Sequence, residues 1–514
     1  MSVAAATSSA LRRLALLAGA VVLSACAVGP DYKRPDLALP ERYTPAQRQG
    51  TSIEPQHLSP TLDIPARWWS AFHSQALDEW VAASLAHNPD VEAAQAALRA
   101  ARENAQAEAA AFWPSVGVSY QPSRQEVAQT LASPVSTNAN LYNLHTAQVT
   151  VSYAPDVFGG VRRSVESAQA QSEQQRFLLE AAYLSLSSNV VVAAITEASL
   201  RAQREATLAI IDDQRKQLEA FRRQLRLGQA AEADVDAQEA ALATTEATLP
   251  PIDRQLAQQR NLLLTLSGRY PADEPAEDPA VRFDLDALAL PAELPLTLPS
   301  QLVDHRPDVL AAEAQMHAAS AAIGVAVAAR LPNVLLGVNA YGSSAFSIGE
   351  LFSSSTMFWT LAANVSQPLI DGGALKHREA AARAAFDQSA AQYRSAVLGA
   401  FQDVANALVA IDADARALRA AVVAERATAR SLERTRAQLR AGDTSALNVL
   451  IAEQAWQQAR LNLVQARAAR LSDSAALFLA LGGGWWNRED ALAAAPAAPA
   501  APGGSIHTAS EGAR

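Results

Sequence analysis

One passage occurs twice in the chain, and it limits the fold more than any single residue does. His87-Asn88-Pro89-Asp90-Val91-Glu92-Ala93-Ala94 leads through an Ala-rich stretch to Trp113-Pro114-Ser115-Val116. His305-Arg306-Pro307-Asp308-Val309-Leu310-Ala311-Ala312 leads in the same way to Leu331-Pro332-Asn333-Val334. The offset is 218 residues at both ends, His87 to His305 and Pro114 to Pro332. A duplication of this length means that one supersecondary unit is used twice and packs against its own copy. Each copy reads as a helix opened by Pro and rich in Ala, which favours helix and lets backbones approach closely. Asn88 is placed to cap the helix that starts at Pro89.

After Val116 the apolar period changes from helical to two. Val116, Val118 and Tyr120 alternate with Gly117 and Ser119, and a loop is expected over 121–144. The return strand sets Ala147, Val149, Val151 and Tyr153 on one face and Thr146, Gln148, Thr150 and Ser152 on the other. Such a strand suits a half-buried sheet or a membrane barrel with a wet lumen. Past Pro155, Gly159-Gly160 opens a run without Pro or Gly to Leu227, roughly 100 Å of helix at about 1.5 Å per residue. That length needs lateral support from other helices, and Phe177, Leu184, Val191, Ile211, Leu218 and Leu225 offer partial heptads. Gly228 ends the run. A second helix is expected over 232–266, kinked or interrupted at Pro250-Pro251. The second copy replays the order: helix 302–330, strands around Val334–Ala340 and Trp359–Val365 with a loop over 342–355, helix 374–441 and a last helix over 444–481.

The expected divisions are a targeting segment 1–25, a strap 26–76, repeat one 77–268, a Pro-rich linker 269–300, repeat two 301–484 and a disordered Ala/Pro tail 485–514. In the strap, Trp68, Trp69 and Phe72 are candidates to pin it to a surface. Arg12 and Arg13 precede an apolar run that ends at Leu23-Ser24-Ala25-Cys26, with small residues where a peptidase must fit. Cys26 is the only cysteine, so no intrachain disulfide is possible. No run of about 20 uncharged apolar residues follows residue 26, so no helix is expected to cross a bilayer. The net charge of −10 argues against nucleic acid as a partner. No catalytic motif, cofactor motif or metal-ligand spacing is present, and His87 and His305 read as helix-terminal positions.

Leu23-Ser24-Ala25-Cys26 resembles a bacterial lipobox. Together with Gly29-Pro30-Asp31-Tyr32-Lys33-Arg34-Pro35, Trp68-Trp69-x-x-Phe72, the duplicated unit and Leu481-Gly482-Gly483-Gly484-Trp485, it makes the chain similar to the outer-membrane efflux channel family (TolC/OprM-like), in its NodT-type lipoprotein branch. The resemblance covers nearly all of residues 20–486 and rests on the ordered set, since each short motif is weak alone. It implies a mainly α fold with a membrane β-barrel portion. Duplicated antiparallel helical hairpins would form a periplasmic α-barrel tunnel, and four strands per chain would complete a 12-stranded barrel in a homotrimer. It also implies Cys26 as the lipid-attachment site, anchorage in outer-membrane lipid, a periplasmic membrane-fusion adaptor and an RND-type inner-membrane transporter as partners. Strand arithmetic agrees: four strands cannot close alone, and an open edge is forbidden in lipid.

By the same resemblance the turns at Arg226-Leu227-Gly228 and Arg440-Ala441-Gly442 are adaptor-docking tips. Gly allows a left-handed helix end there, and Arg offsets the negative end of the helix dipole. The family's closed-state constriction maps onto Leu447, Asn448 and Ile451, with Asp234 and Asp236 in the matching part of repeat one. The family's usual inner Asp is replaced by Ile451, which points to an apolar gate; Glu453 is expected on another helix face. Tyr120, Tyr153 and Trp359 are the expected aromatic girdle. The alternative left open is a structural or adaptor-like periplasmic coiled-coil lipoprotein without channel activity.

Overall fold

The computed structural model describes residues 28–44, 52–53, 56–59, 62–128, 130, 139–273, 282–296 and 299–488. Its strands are β1 (Ser52–Ile53), β2 (Gln56–Ser59), β3 (Ser115–Glu126), β4 (Leu141–Tyr153), β5 (Glu293–Pro295), β6 (Asn333–Ala345) and β7 (Met357–Ser366). Its α-helices are α1 (Gln75–His87), α2 (Pro89–Ala109), α3 (Gly160–Arg226), α4 (Glu232–Glu246), α5 (Leu249–Leu266), α6 (Pro299–His305), α7 (Pro307–Ala328), α8 (Ala374–Ala441) and α9 (Ala446–Ala480). The described residues divide into two compact units. One comprises 28–38, Ala93–Leu179 and Asp308–Leu398; the other comprises 39–92, Glu180–Pro307 and 399–488. The targeting segment and Cys26 lie outside the described residues.

In the first unit β3, β4, β6 and β7 form one antiparallel sheet in that order. The strands are longer than the alternation suggested: β3 runs to Glu126, β4 starts at Leu141 and β6 runs to Ala345, which shortens both expected loops. The added residues lack a clean apolar alternation, and ladder pairing across the sheet holds them. Gln125 faces Tyr142, and Ser344 faces Thr146. Next to the sheet, α3 packs on α7 through Ser167, whose hydroxyl donates to the Ala318 carbonyl at 3.0 Å.

The second unit holds the largest buried side chains. Trp68 stacks on Phe478 with ring centroids 5.5 Å apart, and Phe72, Leu77, Leu263, Leu264 and Leu481 are fully buried around it. The two repeats end alike here. Gly268 and Gly482 press on the carbonyls of His87 and His305, so that an added Cβ would come within 2.2 and 2.9 Å of those oxygens. Asn88 caps α2 as expected: its side-chain oxygen accepts from Asp90 N at 2.9 Å, worth ~1 kcal/mol. Of the heptad residues, Phe177, Val191, Ile211 and Leu218 are buried, Leu184 is half-buried and Leu225 is exposed.

Three expectations need correction. The strap is not merely extended. β2 pairs in parallel with β5 from the linker, His57 opposite Glu293, giving a sheet ordered β1-β2-β5. Neither segment has a strand signature; the pairing is secured non-locally by Gln56, whose amide donates to Pro291 O at 2.8 Å. The return helix of repeat one is interrupted at Ala247-Thr248, upstream of Pro250-Pro251, because both prolines fit the first turn of α5, where an N–H is not needed. The tail does not begin at residue 485. Trp485–Asn487 forms a 3-10 turn, Trp486 stacks on His305 at 4.0 Å and Asn487 donates to Ile64 O at 2.8 Å. By length and composition alone α3, α7 and α8 would also suit a membrane span.

Candidate export channel and gate

The register of the four-stranded sheet sorts its side chains cleanly. Val118 faces Val149, Val151 faces both Val116 and Val338, and Val338 faces Leu361, so these rows set an apolar band on one side of the sheet. The opposite side carries Ser119 facing Gln148, and Thr150 facing both Gly117 and Asn339. On the two edge strands the apolar side chains are bare, Val118 81 % exposed, Trp359 76 % and Leu361 68 %, while Val149, Val151 and Val338 of the inner strands are half-buried. A sheet in water would bury such a face, whereas a sheet in lipid must show it. The backbone edges of β3 and β7 are the ends of the sheet, and in lipid an open edge is prohibitive.

The three expected girdle residues all lie on this face. Tyr153 shares a row with Leu336 and Ala363, while Tyr120 shares one with Ala147. Ala147 and Tyr153 are six residues apart on β4, roughly 20 Å at ~3.3 Å per residue, near the ~25 Å height of a membrane barrel's apolar band. The Tyr120 hydroxyl lies 2.8 Å from His145 Nδ1, which gives the phenol a polar partner at its outer end. Sequence reasoning missed Trp113, which is 76 % exposed beside Pro114. Its place in the duplicated passage, opposite Leu331, was the available signal.

The two tips close identically. Gln229 N donates to Gln224 O at 2.8 Å, and Asp443 N donates to Gln438 O at 2.9 Å. Gly228 and Gly442 hold φ of +71° and +80°, the left-handed region that makes each helix stop possible. Arg226 and Arg440 are exposed beside them, as is Leu227 at 71 %.

Leu447 and Ile451 are one helical turn apart on α9 and 58 % and 56 % exposed, so they form one apolar stripe. Asn448 lies beside them and its amide donates to Thr444 Oγ1 at 2.9 Å. The Asp234 carboxylate accepts Ala231 N at 3.2 Å and caps α4. Asp236 is exposed. Glu453 does sit on another face, and that face is interior. Its side chain is 1 % exposed; Oε1 accepts from Arg436 at 3.2 Å and Gln217 at 3.3 Å, and Oε2 is without a partner. Burial pushes its pKa up against the pull of Arg436. Asp213 lies 3.9 Å from the same guanidinium and helps line a cleft of about 700 Å³ with Phe221, Gln224 and Leu439.

A second buried cluster also escaped sequence reasoning. Arg470 of α9 is 1 % exposed and donates to Gln56 at 2.6 Å and to the Ile411 carbonyl at 2.8 Å. Nearby Asp414 of α8 is pushed up to about 6, first by burial and then by its neighbour Asp473, against Arg470. Among the described residues no three His, Cys, Asp or Glu side chains cluster as metal ligands.

A sheet with one lipid-compatible face, joined to helices of 67 and 68 residues, defines an outer-membrane channel subunit. The chain belongs to the outer membrane efflux protein family, whose model matches residues 80–269 and 298–483. It is 29 % identical over 483 residues to the probable efflux pump outer membrane protein TtgC of Pseudomonas putida, covering 92 % of this chain and 96 % of that protein. It is 29 % identical over 493 residues to the pyoverdine export outer membrane protein OpmQ of Pseudomonas aeruginosa, covering 94 % and 99 %. Nodulation protein T of Rhizobium leguminosarum bv. trifolii is 24 % identical over 466 residues, covering 90 % and 96 %. Among solved structures, the outer-membrane channel OprN superposes with a TM-score of 0.81 at 28 % identity, covering 90 % of this chain and all of that one. The Campylobacter jejuni CmeC channel shares the fold, with a TM-score of 0.79 at 18 % identity, covering 91 % and 97 %. The protein is thus an outer-membrane efflux channel component, and the reading as a coiled-coil lipoprotein without channel activity falls away.

Proposed function

We propose that the protein is the passive outer-membrane duct of a tripartite pump, acting as a homotrimer whose three sheets close into a 12-stranded barrel. The observation that carries this is the four-stranded sheet with a bare apolar face and two open edges. Closure among copies removes the edges, and three copies give an even strand number. Energy is supplied by an inner-membrane transporter, of RND type, coupled through a periplasmic membrane-fusion adaptor; relatives named as efflux pump components support this reading. Cys26 carries the lipid anchor, and 26–76 straps the repeats 77–268 and 301–484, whose bounds lie close to the two family-matched blocks. The Arg226-Gly228 and Arg440-Gly442 tips receive the adaptor. Leu447 and Ile451, with Asn448, narrow the closed bore as an apolar ring, while Asp234 and Asp236 add charge at the mouth.

The test is conductance in planar bilayers with native mass measurement of the detergent-extracted protein. The wild type should be trimeric and mostly closed, and Leu447→Ser and Ile451→Ser should leak current at unchanged trimer mass. Closed traces from both variants would remove the gate assignment; a monomer without conductance would remove the duct itself.

A further inference from the structure

Repeat one and repeat two touch inside the first unit, and that contact is a template. The junction that follows β4 lies on α7: a Cβ added to Gly160 would come 3.1 Å from the Ala328 Cβ. About three turns nearer the start of α7, His317 Nε2 lies 3.0 Å from Glu166 Oε1. The duplication supplies the same two surfaces a second time, as the junction after β7 and the rising helix α2. With the offsets of 213 for the junction and 218 for the rising helix, Gly160 and Ala328 correspond to Gly373 and Ala110. Glu166 and His317 correspond to Glu379 and Arg99, and Val157 and Leu331 to Ile370 and Trp113.

Among the described residues of one chain this second pair of surfaces is uncovered. A Cβ on Gly372 would meet nothing within 4 Å, and one on Gly373 only its own chain's His377. Leu369 and Ile370 are 90 % and 95 % exposed, whereas Val157 and Phe158 of the first junction are half-buried. Arg99, Ala110 and Trp113 are exposed too. The bare junction is nonetheless fixed in place. Asp371 accepts from Gly373 N at 2.8 Å and Leu375 N at 2.7 Å, which caps α8 and presents Leu369-Ile370 outward.

We propose that a second copy of this chain covers the junction after β7 with its α2 end, Trp113 lying over Leu369-Ile370, Ala110 on Gly373, and Arg99 paired with Glu379. The pairing is complementary in charge, an acid meeting a base as Glu166 meets His317. Glu379 already holds Arg330 and Arg383 of its own chain, and the incoming Arg99 joins that cluster. The contact also continues the sheet edge, since Trp113 immediately precedes β3 and Leu369 closely follows β7. This inference rests on the homotrimer reading and names the residues that would join its copies.

Cysteine pairing in the full-length, membrane-inserted protein tests it. Trp113→Cys with Ile370→Cys, and separately Arg99→Cys with Glu379→Cys, should give oxidant-dependent dimer and trimer bands on denaturing gels in several-fold excess over the wild type and each single variant. Trp113, Ile370 and Arg99 are exposed, so the first pair tests the contact without disturbing a packed site, while the Glu379 side chain is 15 % exposed and its single variant controls for the loss of its own ion pairs. Absence of these bands from both pairs while native mass still reports a trimer would overturn this surface and leave the homotrimer standing. Labelling of Ile370→Cys by a lipid-soluble maleimide in that trimer, without cross-linking, would assign the patch to lipid and overturn the proposal equally. A monomeric wild type would instead fail the homotrimer reading, and this one with it.

Discussion

The two helical hairpins descend from one unit yet differ in how far each relies on exposed ion pairs between its helices. In repeat one, α3 is laced to α4 and α5 by Arg204–Asp253 at 2.6 Å, Arg215–Glu246 at 2.6 Å and Arg222–Glu239 at 3.1 Å, all at the surface. In repeat two, α8 meets an unbroken α9 through interior groups: Arg436 on Glu453, and Arg470 with the Asp414–Asp473 pair. Surface pairs are screened and individually weak, while buried charges depend strongly on partner and proton. Repeat one has an interior acid too, Glu197 of α3, which holds Arg201 and lies 3.8 Å from Arg260 of α5, but its exposed lacing adds three ties between the helices that no single partner controls. Repeat two, which carries Leu447 and Ile451, has a contact that a lost partner or a gained proton can retune.

Removing a partner should have the largest effect. Arg436→Ala leaves the Glu453 carboxylate buried without its cation, and breaking such a pair costs ~3–5 kcal/mol when both groups are fully interior. Arg436 is 35 % exposed, so about 2 kcal/mol is expected, read as a lowered Tm with more frequent channel openings. Glu453→Gln should recover most of that loss in the Arg436→Ala background, because a neutral amide needs no cation. Equal Tm values for wild type and Arg436→Ala would place the hairpin's stability elsewhere.

A gained proton should act more gently. Asp414 is raised from 3.8 to about 6, so the folded state holds its proton more tightly than the unfolded chain does. Its stabilising contribution is therefore fully present below about 4 and is lost as pH rises through about 6. Partial solvation keeps the effect to on the order of 1 kcal/mol, below the ~1.4 kcal/mol per unit of an unscreened shift. Relative to Asp414→Asn, which removes this titration, the wild type should gain stability when pH falls from 7 to 5. An unchanged pH response in the variant would assign the acid dependence to other groups.

The contrast between the hairpins also shows what a sequence can reveal. Everything local or duplicated was legible: the helix starts at Pro89 and Pro307, the stops at Gly228 and Gly442, and the period-two faces of β4 and β7. These signals come from backbone restriction and side-chain period, which neighbours in sequence determine. The interior charges were not legible. Glu453 looks like any surface Glu on a helix, and its burial depends on Gln217, 236 residues away. Gln56 sits in a Pro-rich strap with no periodicity, yet it meets Arg470, 414 residues on. Asp234 was assigned to the mouth by analogy, and analogy did not reveal that its carboxylate also caps α4.

The smallest effect should come from the lacing of repeat one, and it makes the comparison quantitative. Arg215→Ala removes a pair whose side chains are 63 % and 41 % exposed, for which ~0.2–1 kcal/mol is typical. Removing Arg204 and Arg222 as well should lower Tm roughly additively, because the three pairs share no partner residue. Each loss should shrink in high salt, since these charges are open to counter-ions, whereas the loss in Arg436→Ala should persist there. Conductance should stay closed in all three variants if repeat one serves only as wall. A triple variant that opens the channel as readily as Arg436→Ala would mean that both hairpins move, and the division of labour between the repeats would have to be abandoned.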